Sequence, residues 1–152
     1  MNQETSASLK LFVVLSRAYK SINEYVNTYI QKEGLNPTEF AVLELLYHKG
    51  DQALQQIGGK ILIASGSITY VVDKLEKKGL VKRIACPKDR RVTYGQITQE
   101  GRALLDEFFP KHEARIHEVL SSLSNEEKEQ AIHWMKRIGK EAGKKLETDS
   151  NT

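Results

Sequence analysis

The sequence predicts a mainly α-helical fold with one small β-hairpin, and three observations support this prediction. Over most of the chain, apolar residues recur every three or four positions, which is the spacing of amphipathic helices. Two short β-prone runs, 80–85 and 92–97, lie close together in the middle of the chain. Glycine, proline and cap residues interrupt the helical pattern at several points. We therefore expect four helices, a hairpin and two further helices.

The four helices before the hairpin have recognisable starts or stops. Gly34 ends the first helix, and Asn36 with Pro37 provides an N-cap and a first helical residue for the second. Ser65 is a plausible N-cap for the fourth helix, and Gly79 is the expected left-handed residue after it. These helices are predicted at 9–32, 40–48, 54–60 and 65–78.

Two more helices are predicted after the hairpin. Thr98 is positioned to cap the first of them. Pro110 interrupts its apolar pattern, so we expect a kink or a break there. Ser124 and Glu127 have the spacing of a capping box and open the last helix, which continues to about Leu146.

Length and composition exclude several classes of protein. A chain of 152 residues fits one domain, and it contains no run of eighteen apolar residues that could span a membrane. Its first residues lack the basic segment and apolar core of a signal peptide. The single cysteine, Cys86, cannot form an internal disulfide. We therefore expect a cytoplasmic protein with no membrane partner.

Positive charge is concentrated around the predicted hairpin. Between Asp73 and Arg91, eight Lys or Arg residues stand against three Asp or Glu residues, a net charge of +5. The whole chain carries +3, so the remainder is slightly acidic. A local excess of this kind favours a negatively charged partner such as DNA, although a solubilising surface turn can also be basic.

The fourth helix and the hairpin tip carry the candidate DNA contacts. If the apolar stripe of the helix faces inward, its outer face presents small hydroxyl groups and a tyrosine, which can approach base edges and phosphates. At the tip, Asp89 can brace an arginine, and a braced guanidinium suits the narrow minor groove. The candidate DNA-binding residues are Ser65, Ser67, Thr69, Tyr70, Lys74, Lys88, Asp89, Arg90 and Arg91.

Other chemistry is poorly supported by the sequence. It contains no nucleophile–base arrangement, phosphate-binding glycine loop or paired-carboxylate motif, so we predict neither an enzyme nor a cofactor. His48, His112, His117 and His133 lack the spacing of metal ligands, and no metal site is predicted. Cys86 lies among cations that could lower its pKa, so a redox role remains open beside that of a small apolar side chain.

Three segments resemble the MarR family of bacterial transcriptional regulators. The segment NPTEFAVLELL resembles the second helix of the family, and ASGSITYVVDKLEKKGLVKR resembles its recognition helix and first wing strand. PKDRR followed by QITQEGRALL resembles the wing and the start of the fifth helix. The resemblance implies a winged helix-turn-helix lobe at 36–97, a helical dimerisation region at 9–34 and 98–147, and flexible termini at 1–8 and 148–152.

The resemblance also implies a function. Members of the family are homodimers that bind palindromic operators in double-stranded DNA, and many are released by a small aromatic or phenolic compound. We therefore expect a repressor, with a phenolic or quinone-like effector. The candidate effector-binding residues are Phe12, Tyr19, Tyr25 and Phe40, and the alternative for each of them is an ordinary place in the apolar core.

Two alternatives remain open at this stage. Peroxide-sensing members carry a reactive cysteine near the start of the first helix, where this chain has Leu11, Phe12 and Leu15. That mechanism does not carry over, but a thiol or metal trigger using Cys86 or the histidines would fit the same fold. The other alternative is a winged-helix module that binds an acidic protein surface.

Overall fold

The computed structural model describes residues 2–61 and 65–150, and it confirms a mainly helical chain with a small antiparallel sheet. The chain divides into two compact units, one ending at Pro110 and the other beginning at Lys111. No helix among the described residues is both long and apolar enough to cross a membrane. The elements are α1 (Gln3–Lys32), α2 (Pro37–Lys49), β1 (Gln52–Ala53), α3 (Leu54–Lys60), α4 (Ser65–Lys77), β2 (Val81–Ala85), β3 (Thr93–Ile97), α5 (Gln99–Val119) and α6 (Asn125–Ser150).

The predicted hairpin is confirmed, and a third strand joins it. β2 and β3 pair antiparallel, with Val81 opposite Ile97 at the base of the hairpin. β1 pairs antiparallel with the other edge of β3, where Gln52 lies opposite Gly95, so the strand order is β1-β3-β2. A strand of two residues is too short to show an alternating pattern, which is why the sequence did not predict it.

Local capping chemistry fixes the helix ends where the sequence placed them. The Asn36 side chain accepts a hydrogen bond from the Glu39 N–H at 2.8 Å, and the Glu39 carboxylate accepts one from the Asn36 N–H at 3.0 Å. Ser124 and Glu127 make the same reciprocal pair at 3.1 and 2.9 Å. Gly79 has a φ of +76°, as expected for the left-handed residue that ends α4.

Helix α1 begins at Gln3 rather than at the predicted Leu9. The Asn2 side chain caps it by accepting a hydrogen bond from the Thr5 N–H at 2.8 Å. Residues 3–8 carry little apolar periodicity, so the sequence pattern offered no reason to extend the helix over them. Helix α6 likewise continues to Ser150, beyond the predicted end near Leu146.

Helix α5 is continuous from Gln99 to Val119 with Pro110 inside it, so of the predicted kink or break the break does not occur. Proline removes one main-chain donor from a helix, and the hydrogen bonds on both sides can keep a long helix intact.

The core of the first unit packs α2 against α4, the sheet and the first half of α5. Helix α2 is apolar on most sides, and its residues Phe40, Val42, Leu43 and Leu46 are buried. The predicted inward stripe of α4 is confirmed. Its buried residues are Ile68, Val71, Val72 and Leu75.

Gly101 is a residue at which α5 lies very close to the base of the hairpin. A Cβ atom there would lie 2.3 Å from the Leu80 carbonyl oxygen and 2.8 Å from Cγ1 of Ile97. Thr98 holds the two segments together, because its hydroxyl donates to the Gly79 carbonyl at 2.7 Å and accepts from the Gly101 N–H at 3.0 Å. This contact also confirms Thr98 as the cap of α5.

Replacing Gly101 with alanine should lower the free energy of unfolding by about 1–3 kcal/mol, because main-chain atoms would have to move. Alanine is the better helix former by about 1 kcal/mol, so helix propensity alone predicts the opposite sign. Urea unfolding measures the difference. Gly59→Ala is the matched control, because nothing lies within 4 Å of a Cβ at this helical glycine. A Gly101→Ala variant as stable as the parent would contradict the close approach.

Candidate nucleic-acid interface

The outer face of α4 is polar and exposed. Ser67, Thr69 and Tyr70 lie on it, and the Tyr70 side chain is 61% exposed. Helix α4 is described from Ser65 onward, and the predicted role of the Ser65 side chain as its N-cap lies outside the described part of the chain. The burial of the opposite stripe fixes which way this face points, so the polar side chains are available to a partner.

Lys74 and Tyr70 form a pair one turn apart on this face. The Lys74 ammonium lies 4.7 Å from the centre of the Tyr70 ring, within cation–π distance. A hydrogen bond with the Tyr70 hydroxyl and its Coulombic attraction raise the pKa of Lys74 above its usual value. The ammonium therefore stays charged at neutral pH and is held close to the helix rather than ranging freely.

The hairpin tip presents a braced arginine, as predicted. Asp89 accepts hydrogen bonds from Nε and Nη2 of Arg91 at 3.1 and 3.2 Å, and from the Arg91 N–H at 3.0 Å. The Arg91 side chain is nevertheless 91% exposed, and Lys88 and Arg90 beside it are exposed too. These contacts with the Arg91 guanidinium and N–H lower the pKa of Asp89 below its usual value. The guanidinium is thus oriented without being removed from solvent.

The fourth helix and the wing share one cleft. A cavity of about 650 Å³ is lined by Gly58 and Gly59 of α3, Thr69 of α4, and Arg91 and Val92 at the wing. Thr69 and Arg91 are far apart in the sequence, yet they border the same opening. The structure therefore brings one candidate residue of the helix and one of the wing to the same cleft.

Comparison with known proteins gives the family. Residues 35–93 match the MarR family model. The chain is 66% identical over 135 residues to the HTH-type transcriptional regulator MhqR of Bacillus subtilis, covering 89% of this chain and 93% of that protein. The chain belongs to the MarR family. The 66% identity to MhqR also supports an MhqR-like member of the family.

Two further comparisons agree. The chain is 30% identical over 132 residues to the HTH-type transcriptional repressor YetL of Bacillus subtilis, covering 86% of this chain and 79% of that protein. The crystal structure of the transcriptional regulator BldR from Sulfolobus solfataricus superposes with a TM-score of 0.80 at 27% identity. That match covers 92% of this chain and 99% of BldR. The mainly helical winged-helix fold is therefore confirmed.

In this MarR-family regulator, part of the basic excess is paired with acidic residues of the same chain. Arg83 on β2 donates to Asp73 at 2.7 Å, to the Thr69 carbonyl at 3.2 Å and also to Glu76, so it fastens the wing to α4. Lys78 is paired in the same way with Glu39. Both cations are counted in the local excess predicted from the sequence, and the structure pairs each of them with acids of the same chain, although Lys78 remains exposed.

The sequence contained only a partial signal for this role of Arg83. Two acids three positions apart on the fourth helix suggest a cation that lies across from them. Any of the eight Lys or Arg residues between Asp73 and Arg91 could have been that cation. Only the packing of β2 against α4 places Arg83 beside the two acids.

The four candidate effector residues lie in different environments. Phe12 and Tyr19 are both 69% exposed on α1. Tyr25 is partly exposed and meets the Tyr29 ring edge-on at 5.6 Å between ring centroids. Phe40 is buried against Phe108, with ring centroids 5.4 Å apart. Phe12 and Tyr19 therefore do not belong to the core of the single chain, whereas Phe40 does.

Cys86 and the histidines show no shared site. Cys86 is half-buried directly after β2, and its N–H donates to the Val92 carbonyl at 3.0 Å, so its main chain closes the wing. The His48 ring meets Phe109 edge-on at 4.6 Å. Within residues 2–61 and 65–150, no group of three or more His, Cys, Asp or Glu side chains is arranged to hold a metal ion.

Proposed function

We propose that this regulator represses transcription as a homodimer that binds a palindromic operator and is released by a small aromatic, phenolic or quinone-like effector. The observation that carries the proposal is the common cleft bordered by the exposed face of α4 and the braced Arg91. The similarity to YetL, which is named a repressor, supports repression over activation. Operator binding would take place in the cytoplasm, where the chromosome lies.

The proposed lobe for DNA spans 36–97. Helix α4 enters the major groove, where its hydroxyl side chains and Tyr70 meet base edges and phosphates. Lys74 and Lys88 anchor phosphates, and Arg91, held by Asp89, reaches the adjacent minor groove beside Arg90. Ser65, Ser67 and Thr69 stand at the start of α4, which is the part of a recognition helix that approaches the bases.

The proposed dimerisation region comprises 9–34 and 98–147. Its support is the large apolar surface that the single chain leaves exposed on α1 and, separately, on α6. In the second unit, an apolar groove of about 390 Å³ lies between the end of α5 and α6, and Ile132 and Met135 line it. A second copy of the chain would cover such surfaces and set two recognition helices about one turn of DNA apart.

The effector acts by population shift in this proposal. The dimer has one form whose recognition helices fit the operator and another in which they are wrongly spaced. A compound that binds more tightly to the second form lowers the population of the first, and the ratio of its two affinities sets the size of the shift. Phe12, Tyr19, Tyr25 and Phe40 are the proposed contacts. The exposure of Phe12 and Tyr19 in the single chain is compatible with a site that the dimer completes.

A gel-shift titration tests the proposal directly. The DNA is the region upstream of the gene for this protein, against a scrambled competitor, at two salt concentrations. We expect competitor-resistant binding whose affinity falls steeply with salt, because each phosphate contact releases counterions. Phenols and quinones are then screened for release of the DNA. Weak binding that scrambled DNA displaces would contradict a sequence-specific operator in this region.

A further inference from the structure

Among the described residues of the first unit, Glu39 is the charged residue that is buried, with only 2% of its surface exposed. Burial of a carboxylate is costly unless both of its oxygens find partners. One oxygen accepts the Asn36 N–H at 3.0 Å and completes the capping box of α2. The other lies 2.6 Å from the Lys78 ammonium. Capping α2 therefore accounts for only one oxygen of the carboxylate, and the contact of the other oxygen with Lys78 is a second role.

Lys78 directly follows the last residue of α4, and its ammonium has two acceptors. Besides Glu39, it donates to the main-chain carbonyl of Gly34 at 2.7 Å. Gly34 lies in the turn between α1 and α2, where a φ of +78° reverses the chain. A single ammonium therefore ties the C-terminal end of α4 to the corner between α1 and α2, 44 residues earlier in the sequence.

This link differs from the hydrophobic packing around it in being directional. Apolar contacts tolerate small sliding movements, whereas a hydrogen bond is lost when its atoms move apart by about 1 Å. An ion pair with one partly exposed partner adds little net stability. The Glu39 side chain is only 3% exposed and that of Lys78 is 38% exposed, so loss of the ammonium leaves a buried carboxylate oxygen without its partner. The pair is therefore suited to holding α4 at one position rather than to stabilising the fold.

We propose that Glu39 and Lys78 are positioning residues that fix the recognition helix relative to the α1–α2 corner, and that Lys78 is not a phosphate contact. The inference rests on the proposed function of α4 in reading the operator. Through these hydrogen bonds, a shift in the position of α1 or α2 would move the C-terminal end of α4. Neither residue touches DNA in this account.

The test compares full-length Glu39→Gln, Lys78→Met and the double variant for binding to operator and to scrambled DNA over a salt series. The introduced glutamine can keep the capping bond through its amide oxygen, but it then turns an N–H group toward Lys78. We expect each single variant to lose between about 2-fold and 30-fold in operator affinity. Scrambled-DNA binding and the salt slope should stay as in the parent, and the double variant should be no weaker than either single one.

A phosphate contact predicts a different pattern. Lys78→Met would then lower the salt slope by about one and weaken binding to all DNA equally. Glu39→Gln, which removes a negative charge, would bind as well as the parent or better. Lys77→Met is the control for charge, because Lys77 is the adjacent exposed lysine of α4. Lys78→Arg, which can still reach both acceptors, should restore operator binding to most of the parent value.

The outcomes separate this inference from the proposed function. If the parent protein does not prefer the operator, the proposed function fails. If the parent prefers the operator and Glu39→Gln retains its full affinity, the positioning role is wrong. Thermal unfolding of each variant shows that binding is measured on folded protein. A variant that binds scrambled DNA normally but loses the operator supports the inference directly.

Discussion

Replacing Arg91 with alanine is expected to weaken operator binding by about 1–3 kcal/mol while the dimer remains intact. The Arg91 side chain is 91% exposed, so its removal should change the free energy of unfolding very little. Its orientation comes from Asp89, and the lowered pKa of that carboxyl keeps the brace charged at neutral pH. An oriented guanidinium loses less conformational freedom when it enters a groove, which is why this position should matter more than its neighbours.

Lys88→Ala is the matched control for Arg91→Ala. Lys88 is an exposed cation at the same wing tip. If it contacts a phosphate, its replacement should weaken binding by less than that of Arg91, and by the same factor for operator and scrambled DNA. Fluorescence anisotropy with operator and scrambled duplexes measures both variants, and size-exclusion chromatography verifies the oligomeric state. The wing assignment is wrong if Arg91→Ala binds the operator as tightly as the parent does.

Local signals in the sequence predicted most of the fold. Asn36, Thr98 and Ser124 cap helices as expected, because a cap is a bond between residues three positions apart and needs no tertiary information. The hairpin followed from two β-prone runs in close succession. The inward stripe of α4 followed from its helical period, and the burial of Ile68 and Leu75 confirms it.

Features that depend on the packing of distant segments were not predicted. Strand β1 forms because Gln52 pairs with Gly95 of β3, and no local sequence pattern predicts that pairing. Helix α5 continues through Pro110 although proline is a helix breaker in isolation. Gly101 has the local pattern of an ordinary helical glycine, and its role depends on the Leu80 carbonyl oxygen beside it.

The candidate site shows the same division. The brace between Asp89 and Arg91 joins residues two positions apart, and the sequence predicted it. The pairing of Lys78 with Glu39 joins residues 39 positions apart, and the sequence instead counted Lys78 as surface charge. A count of charges therefore overestimates a DNA-facing surface wherever some of those charges are used to hold helices together.

Replacing Ile132 with glutamate is expected to dissociate the proposed dimer and to abolish operator binding at concentrations where the parent is fully bound. Ile132 is 47% exposed in the single chain and lines the apolar groove of the second unit. In a two-fold interface each substitution occurs twice, and an unpaired buried carboxylate costs several kcal/mol. A monomer presents one recognition helix, so it loses the second half-site.

Gln130→Glu is the control for this variant, because it adds the same charge to the same exposed helix without removing an apolar side chain. Analytical ultracentrifugation measures the dimerisation constant. Emission from Trp134, the single tryptophan of the chain, should shift to longer wavelength if dissociation exposes it. Because Ile132 lies far from α4 in the sequence, binding to a single half-site should survive at the affinity of one lobe. An Ile132→Glu protein that remains dimeric would mean that this groove does not receive the second copy.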